Sequence, residues 1–175
     1  MPGCQVENSL SAPIMEKVPG KEYNMKFTKM HGIGNDYIYV NCFQENVKNP
    51  SEAARRLSDR HFGVGGDGLI LILPSQKADF KMEMYNADGS LGAMCGNGIR
   101  CVGKYVYDYG LTDQTQISVE TESGIKFLNL TAEKGKVIEA EVDMGEPVLT
   151  PQRIPVSLKG DAVINQELCL NGKNY

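Results

Sequence analysis

The chain has 175 residues, 41% hydrophobic and 23% charged, a composition ordinary for a globular protein with one good core, or with one domain and part of another. A net charge of −4 without a basic block argues against nucleic-acid binding, and no apolar run approaches the ~20 residues of a membrane span. The five cysteines are irregularly spaced and form no CxxC pair, and there are only two histidines, so the sequence argues against a metal site. The cysteine pattern and the lack of an apolar N-terminal segment favour a reduced, cytoplasmic protein.

Residues 1–41 predict a leader, two strands and a loop. Residues 1–24 carry prolines and glycines without a hydrophobic period, which predicts a disordered leader. Residues 25–30 and 37–41 predict strands, and the glycine-rich loop 31–36 joins them. A phosphate-binding loop would require a helix after these glycines, and none is predicted there. Asn35 in this loop is a candidate to hold a polar ligand with its amide. The local sequence is equally compatible with a tight β-turn that binds no ligand.

A helix, a second glycine-rich loop and two strands come next. Residues 49–52, with Asn as N-cap, Pro at N1 and Glu at N3, predict a helix start. We expect that helix to run to about His61, with its charged residues facing solvent. Four glycines within 62–68 indicate close backbone approach, either to another segment or to a ligand. The continuous apolar run 69–73 predicts a buried strand, and alternation over 79–85 predicts a half-buried one.

The segment 86–101 is the most informative stretch of the chain. Residues 86–90 are rich in turn formers, and Gly89 is suited to a positive φ. Apolar residues then recur at helical spacing: Ile99, Val102, Val106 and Tyr109. Gly110 stands where a helix C-terminus favours glycine. Cys95 therefore lies just ahead of the N-terminus of a helix of about a dozen residues.

The position of Cys95 has a chemical consequence. A helix start carries unpaired N–H groups and a partial positive charge, which favour thiolate over thiol and suit a catalytic base or nucleophile. Gly96, Asn97 and Gly98 are predicted to offer N–H donors to a carboxylate or another anion. The alternative is that Cys95 is a small buried apolar residue. The glycines, the asparagine and the helix start together favour a functional thiol.

The remaining sequence predicts strands. Three strands are expected at 116–121, 125–131 and 137–144, followed by an extended segment at 150–155 and a further strand at 163–170. An Asn-Gly turn follows at the very end of the sequence. Because such a turn normally joins two strands and no partner strand is evident, we expect the chain to stop in the middle of a fold.

Five motifs stand in order between Met25 and Pro147: Lys29–Tyr37, Arg60–Gly68, Asn86–Ser90, Cys95–Cys101 and Met144–Pro147. In combination they resemble the diaminopimelate epimerase family, whose members epimerise an amino acid without pyridoxal phosphate. The resemblance implies an α/β (α+β) fold in which each of two similar domains is a β-barrel-like sheet around a central helix. It also implies an active site in the cleft between the domains, one cysteine from each domain, and no cofactor.

The resemblance assigns roles residue by residue. Cys95 corresponds to the catalytic cysteine of the N-terminal domain. Asn35 and Asn86 correspond to residues that hold the polar groups of the substrate. Gly96 and Asn97 correspond to the clamp on the reacting carboxylate.

The resemblance also implies a domain plan and a reaction. Residues 25–140 would be the N-terminal epimerase domain, and residues 141–175 the crossover and the start of a second domain. The implied reaction converts LL-diaminopimelate to meso-diaminopimelate in lysine and cell-wall precursor biosynthesis. We expect a small-molecule amino-acid substrate, no nucleic-acid or membrane partner, and a possible homodimer.

The second half of the family pattern is not found, and Cys169 has no glycine-rich helix start around it. We therefore expect little or no turnover from these 175 residues alone. Two alternatives remain open at this point. One is a related racemase or isomerase of the same fold, acting on proline, hydroxyproline or a phenazine-type precursor. The other is a non-catalytic module that keeps the fold as a binding surface.

Overall fold

The computed structural model describes the backbone of residues 16–18 and 21–23 and all of residues 25–175. The chain divides into two compact units, Met1–Asp143 and Met144–Tyr175. Neither α-helix found in the described residues has the length and apolar character needed to cross a membrane.

The predicted leader, residues 1–24, lies largely outside the described residues. Within it the backbone of Glu16–Val18 (β1) pairs antiparallel with that of Lys21–Tyr23 (β2), a pairing that the sequence does not predict.

Beyond the β1–β2 pair, the described part of the first unit is a sheet of eight strands with two α-helices. The strands are Thr28–Gly32 (β3), Asn35–Asn41 (β4), Gly68–Leu73 (β5), Phe80–Asn86 (β6), Leu91–Gly92 (β7), Gln116–Thr121 (β8), Gly124–Glu133 (β9) and Lys136–Val142 (β10). The helices are Pro50–Ser58 (α1) and Gly96–Asp108 (α2). The strand order is β10-β9-β8-β6-β5-β4-β3, and β7 pairs with β6. The pairs β4–β5 and β6–β8 are parallel, and α1 and α2 lie in the connections between them.

The sheet curls around α2. This helix contacts β3 and β4 towards one end of the strand order and β9 and β10 at the other end, which a flat sheet would not allow. The core around it includes Tyr39, Ile70, Met82, Val102 and Leu128, each at most 2% exposed. The predicted α+β fold, with a barrel-like sheet around a central helix, is confirmed.

The helix α1 covers the opposite face of the sheet and explains the composition of β5. A second core forms where Ala54 and Leu57 pack with residues of β4 and β5. Because both faces of β5 are covered, Leu69–Ile72 are all buried, and the strand is a continuous apolar run as predicted.

The start of α1 is confirmed and its end is corrected. The side chain of Asn49 accepts a hydrogen bond from the backbone N–H of Glu52, and Pro50 is the first helical residue. The predicted helix end at His61 is wrong, because Asp59 adopts an extended conformation (φ −58°, ψ 122°). The Asp59 carboxylate accepts the N–H groups of His61 (2.7 Å) and Phe62 (2.8 Å), which holds them in a loop.

The second unit departs from prediction in two places. A short 3₁₀ helix forms at Pro151–Arg153, where an extended segment is predicted. The strand predicted over 163–170 is reduced to Cys169–Leu170 (β11), which pairs with Lys173–Asn174 (β12) across the Asn-Gly turn. The turn therefore has its partner strand. Asn171 and Gly172 both have positive φ, as a two-residue hairpin turn requires.

Candidate functional site at the N-terminus of α2

Three polar residues meet at one edge of the sheet. Asn35 begins β4, Asp67 immediately precedes β5, and Asn86 ends β6. Because β4 and β5 are parallel and β6 runs antiparallel to β5, these positions share an edge. The backbone N–H of Asp67 donates to Asp36 O (2.6 Å), and that of Ala87 donates to Asp67 O (3.1 Å), which fixes the three strand ends together.

Cys95 is the N-cap of α2, as its predicted position at a helix start implies. It has an extended conformation (φ −132°, ψ 112°), and its Sγ accepts a hydrogen bond from Gly98 N at 3.2 Å. The sulfur thus takes the place that a serine, threonine or aspartate oxygen usually fills. The side chain is half-buried, packed on one side against the core around α2.

The strand β4 presents alternate residues to this helix start. Asn35, Tyr37 and Tyr39 follow the period of two along one face. The hydroxyl of Tyr39 donates to Gly98 O (3.4 Å), and Cys95 Sγ donates to Asn35 Oδ1 (3.2 Å). The structure therefore brings together Cys95 and Asn35, two of the predicted site residues, across 60 positions of sequence.

Two tyrosines provide neutral hydroxyls beside the thiol. Burial raises the pKa of Tyr37 to about 12. Burial also holds the pKa of Tyr39 well above its ordinary range. Both side chains are therefore protonated at neutral pH and act as hydrogen-bond donors or acceptors, not as charges.

Gly96 and Asn97, the predicted carboxylate clamp, lie in the first turn of α2. Arg100 binds both of them: its Nη1 donates to Gly96 O (3.1 Å) and its Nη2 donates to Asn97 Oδ1. The chain before β4 touches the same turn, because a Cβ added at Gly32 would lie 3.0 Å from Asn97 Cβ and O. A side chain at Gly32 would require Asn97 to shift by a few tenths of an ångström.

One predicted donor has another function. Gly98 is expected, with Gly96 and Asn97, to offer its N–H to an anion. Its N–H instead donates to Cys95 Sγ, because an N-cap side chain takes an N–H of the first turn.

Asn86 shares the sheet edge but is held by its own turn. Its Nδ2 donates to Ser90 Oγ (2.9 Å), and the Ser90 hydroxyl donates to Asp88 Oδ1 (2.6 Å). Gly89 has φ +82°, as predicted, and packs so closely on α1 that an added Cβ would lie 2.6 Å from Ser51 O. The structure thus places Asn86 at the edge through the backbone of β6 rather than through a hydrogen bond to Cys95.

Two residues without a predicted role, Asp67 and Arg60, order this edge. Asp67 Oδ2 accepts from Asn35 Nδ2 (2.7 Å), and Asp67 Oδ1 accepts from Arg60 Nη2 (2.9 Å). Arg60 also binds Asp36, and that hydrogen bond, with the help of Lys29, lowers the pKa of Asp36 to about 2. The signal in the sequence that points to Asp67 is its place as the single carboxylate of a loop with four glycines, directly ahead of a buried strand.

Chemically, the site combines a thiol, two amides, a guanidinium and the N-terminus of a helix. This set suits proton transfer to or from an anionic organic molecule. In the described part of the chain, no group of three or more His, Cys, Asp or Glu side chains is arranged to hold a metal ion.

Comparison with known proteins identifies relatives of high identity. The chain is 58% identical to diaminopimelate epimerase of Acetivibrio thermocellus over 151 residues, which cover 86% of the chain and 54% of that protein. It is 65% identical to diaminopimelate epimerase of Agathobacter rectalis over 132 residues, which cover 75% of the chain and 46% of that protein. The chain therefore spans about half the length of the curated relatives that it matches.

Solved structures support the fold alone. A methylitaconate-delta-isomerase has a TM-score of 0.55 at 17% identity, over 65% of this chain and 36% of that one. A PhzF-family phenazine biosynthesis protein of Bacillus anthracis has a TM-score of 0.50 at 18% identity, over 67% of this chain and 38% of that one.

The family itself is shown by the sequence. The family model for diaminopimelate epimerase matches residues 27–150, which include β3 to β10, both helices and all five predicted site residues. The chain belongs to the diaminopimelate epimerase family.

Proposed function

We propose that the chain takes part in the epimerisation of LL-diaminopimelate to meso-diaminopimelate without a pyridoxal cofactor, and that Cys95 is one of two cysteines that exchange the α-proton. The observation that carries this proposal is the position of Cys95 Sγ at the N-cap of α2, between Gly98 N–H and Asn35 Oδ1. The names of relatives that are 58–65% identical support the substrate.

The proposed reaction is a transfer of protons without a change of oxidation state. One thiolate takes the α-proton with a sulfur electron pair and becomes a thiol, and the C–H electron pair stays on the α-carbon. The thiol on the opposite face then gives its proton to that carbon and becomes a thiolate. Two proton-transfer groups are needed because the incoming proton must approach from the face opposite the one that the first proton left.

The surrounding groups would stabilise the negative charge that develops on the carboxylate. Gly96 and Asn97 lie at the positive end of α2, and Arg100 adds a cation on the same turn. Asn35 and Asn86 would hold the polar groups of the substrate. Loss of one such donor typically lowers the rate about 10²–10³-fold.

The wider setting follows from the same proposal. Residues 25–140 would form the cysteine-bearing domain, and residues 141–175 would lead to a second domain. The reaction would belong to lysine and cell-wall precursor biosynthesis in the cytoplasm, and the enzyme would form a homodimer. Since the chain would supply one cysteine of the pair, we expect the 175 residues alone to turn over little or no substrate.

A fusion tests the proposal. The chain is joined to the part of the Acetivibrio thermocellus relative that lies beyond the matched region, and incorporation of deuterium at the α-carbon of LL-diaminopimelate is followed in D₂O. We expect the fusion to epimerise the substrate and Cys95→Ala to lower the rate by about 10²–10⁴-fold. Cys42→Ala is the matched control, because Cys42 packs in the second core beside α1.

Each arm has an outcome against the proposal. A folded fusion without turnover would overturn the epimerase assignment. Full activity in Cys95→Ala would overturn the role of the thiol. Turnover by the 175-residue chain at the rate of the fusion would overturn the proposal that each half of the fusion supplies one of the two cysteines.

A further inference from the structure

Asp67 is held in place on both of its carboxylate oxygens. Its Oδ2 accepts from Asn35 Nδ2 (2.7 Å) and from the backbone N–H of Asp36 (3.1 Å). Its Oδ1 accepts from Arg60 Nη2 (2.9 Å). The carboxylate is therefore fixed in position relative to the start of β4.

This carboxylate determines which end of the Asn35 amide faces the thiol. An ionised carboxylate only accepts hydrogen bonds, so Asn35 must turn its NH₂ group towards Asp67. The carbonyl oxygen then points the other way, 3.2 Å from Cys95 Sγ. Because a carbonyl oxygen also only accepts, Cys95 satisfies this contact as a thiol and not as a thiolate.

We propose that Asp67 is a positioning residue which, by fixing the orientation of the Asn35 amide, holds Cys95 in its protonated form, ready to give a proton to the substrate carbon. This inference rests on the proposed function of Cys95, but the contacts of Asp67 and Asn35 that carry it stand independently. Arg60 supports Asp67 through the hydrogen bond and ion pair between its Nη2 and Asp67 Oδ1.

Other groups around the sulfur also affect the balance between thiol and thiolate. The N–H of Gly98 stabilises either protonation state, and more strongly the thiolate. From β4, Tyr37 and Tyr39 face the thiol as neutral hydroxyls. From α2, Arg100 supplies a positive charge to the same turn. These groups stay the same when Asp67 is changed, so a difference between variants reports Asp67.

The test is the pH dependence of Cys95 alkylation in the full chain. Iodoacetamide reacts with thiolate, and mass spectrometry of the Cys95 peptide separates this thiol from Cys42 and the exposed Cys169. In Asp67→Asn the new amide can donate to Asn35 Oδ1, which lets Nδ2 turn to the sulfur and stabilise the thiolate. We expect the rate at pH 7 to rise about tenfold and the midpoint of the pH–rate profile to fall by about one unit, with an unchanged rate at high pH.

Two controls separate orientation from charge. Asp36→Asn removes the same charge from the same ion cluster but leaves the Asp67–Asn35 hydrogen bond, and we expect a change of less than about threefold. In an Asn35→Ala background, Asp67→Asn should have no further effect, since the residue through which it acts is gone.

The inference is overturned by any of three results. These are an unchanged profile in folded Asp67→Asn, an equal rise in Asp36→Asn, or a rise that persists with Asn35→Ala. If Asp67→Asn does not fold, Asn35→Ala alone decides: removing the carbonyl must raise the rate at pH 7, and an unchanged rate overturns the inference. Because no turnover is measured, failure here is distinguishable from failure of the fusion assay.

Discussion

At residue scale, Cys95 combines two functions that usually belong to different side chains. Its sulfur caps α2 through Gly98 N–H and at the same time contacts Asn35 Oδ1. A serine hydroxyl can fulfil the first function, because serine is among the preferred N-cap residues. A serine hydroxyl can also donate to Asn35 Oδ1, but it cannot exchange a proton with the substrate carbon at neutral pH, because an alcohol is a far weaker acid than a thiol.

Substitution at Cys95 should therefore separate stability from chemistry. We expect Cys95→Ser to change the free energy of unfolding by less than about 0.5 kcal/mol, and Cys95→Ala to lower it by about 1 kcal/mol through loss of the cap. Both variants should lower the rate of epimerisation in the fusion by about 10²–10⁴-fold. Urea unfolding of the chain and α-deuterium incorporation by the fusion measure the two effects. A serine variant as unstable as the alanine variant would contradict the role of the sulfur as a cap.

At element scale, an ion cluster ties β3, β4 and the loop after α1. Asp36 on β4 binds Lys29 on β3 (3.0 Å) and Arg60 in the loop (2.7 Å). Lys29 and Asp36 form a diagonal cross-strand pair on one face of the sheet, because the residue directly opposite Asp36 is His31, two positions from Lys29. The cluster therefore fixes the loop that carries Asp67 against the strand that carries Asn35.

The pH dependence of stability should report this cluster. The hydrogen bond from Arg60, aided by Lys29, lowers the pKa of Asp36 from 3.8 to about 2, so folding favours its ionised form. The stabilisation is complete above about pH 4 and is lost as the pH falls from 4 to 2. We expect Asp36→Asn to lower the free energy of unfolding by about 1–2 kcal/mol at pH 7, allowing for solvent screening, and by almost nothing at pH 2. Urea titrations of both proteins at several pH values measure this gap; a constant gap would contradict the assignment.

The other end of α2 carries a mostly buried ion pair, and both of its members form hydrogen bonds to β10. Lys104 Nζ lies 2.9 Å from Asp108 Oδ2, with side chains 11% and 7% exposed. Asp108 Oδ1 accepts from Val137 N (2.8 Å), and Lys104 donates to Val137 O. These contacts lie next to the irregular pairing between Val137 and Glu139, where the ladder to β9 shifts register.

Removal of one partner should be costly because it leaves a buried charge. We expect Asp108→Ala to lower the free energy of unfolding by about 3 kcal/mol, since the Lys104 ammonium loses its carboxylate partner and the Val137 N–H loses its acceptor. Asp113→Ala, at an exposed position five residues on, is the matched control, with an expected change within about 0.5 kcal/mol. Equal effects in chemical denaturation would show that the ion pair adds nothing specific.

Local signals in the sequence were sufficient for the elements but not for the contacts between them. Asn49 and Pro50 mark the start of α1, and the run of β5 marks a strand covered on both faces, because cap chemistry and burial act over a few residues. The end of α1 was missed because the Asp59 side chain competes for the N–H groups that follow it.

The candidate site shows the same division. Cys95 and its glycines stand out by their local pattern. The link from Asp67 through Asn35 to Cys95 spans 32 and then 60 positions, and it exists because β4 and β5 are parallel and α2 crosses their ends. No short pattern in a single sequence encodes that register.

At the scale of the whole molecule, the two hydrophobic cores are formed by a continuous part of the chain. Their buried residues all lie between Phe27 and Val137, within the first unit. In the second unit, large apolar side chains such as Ile164 (63% exposed) and Leu168 (58%) remain accessible, and Pro151 is its buried residue. We infer that residues 1–143 hold the information for a cooperative fold.

Fragments test this inference. We expect residues 1–143 to unfold cooperatively in urea with native-like helical circular dichroism, because both cores are complete. Residues 144–175 alone should show no transition, since about 32 residues without a cross-link bury too little surface. Residues 1–110 are the decisive control, because that fragment keeps α2 but lacks Ile117, Leu128 and Val137 from its core. A cooperative transition in residues 1–110 would show that α2 folds without β8 to β10 to enclose it. The absence of a cooperative transition in residues 1–143 would show that the first unit is not sufficient for its own folding.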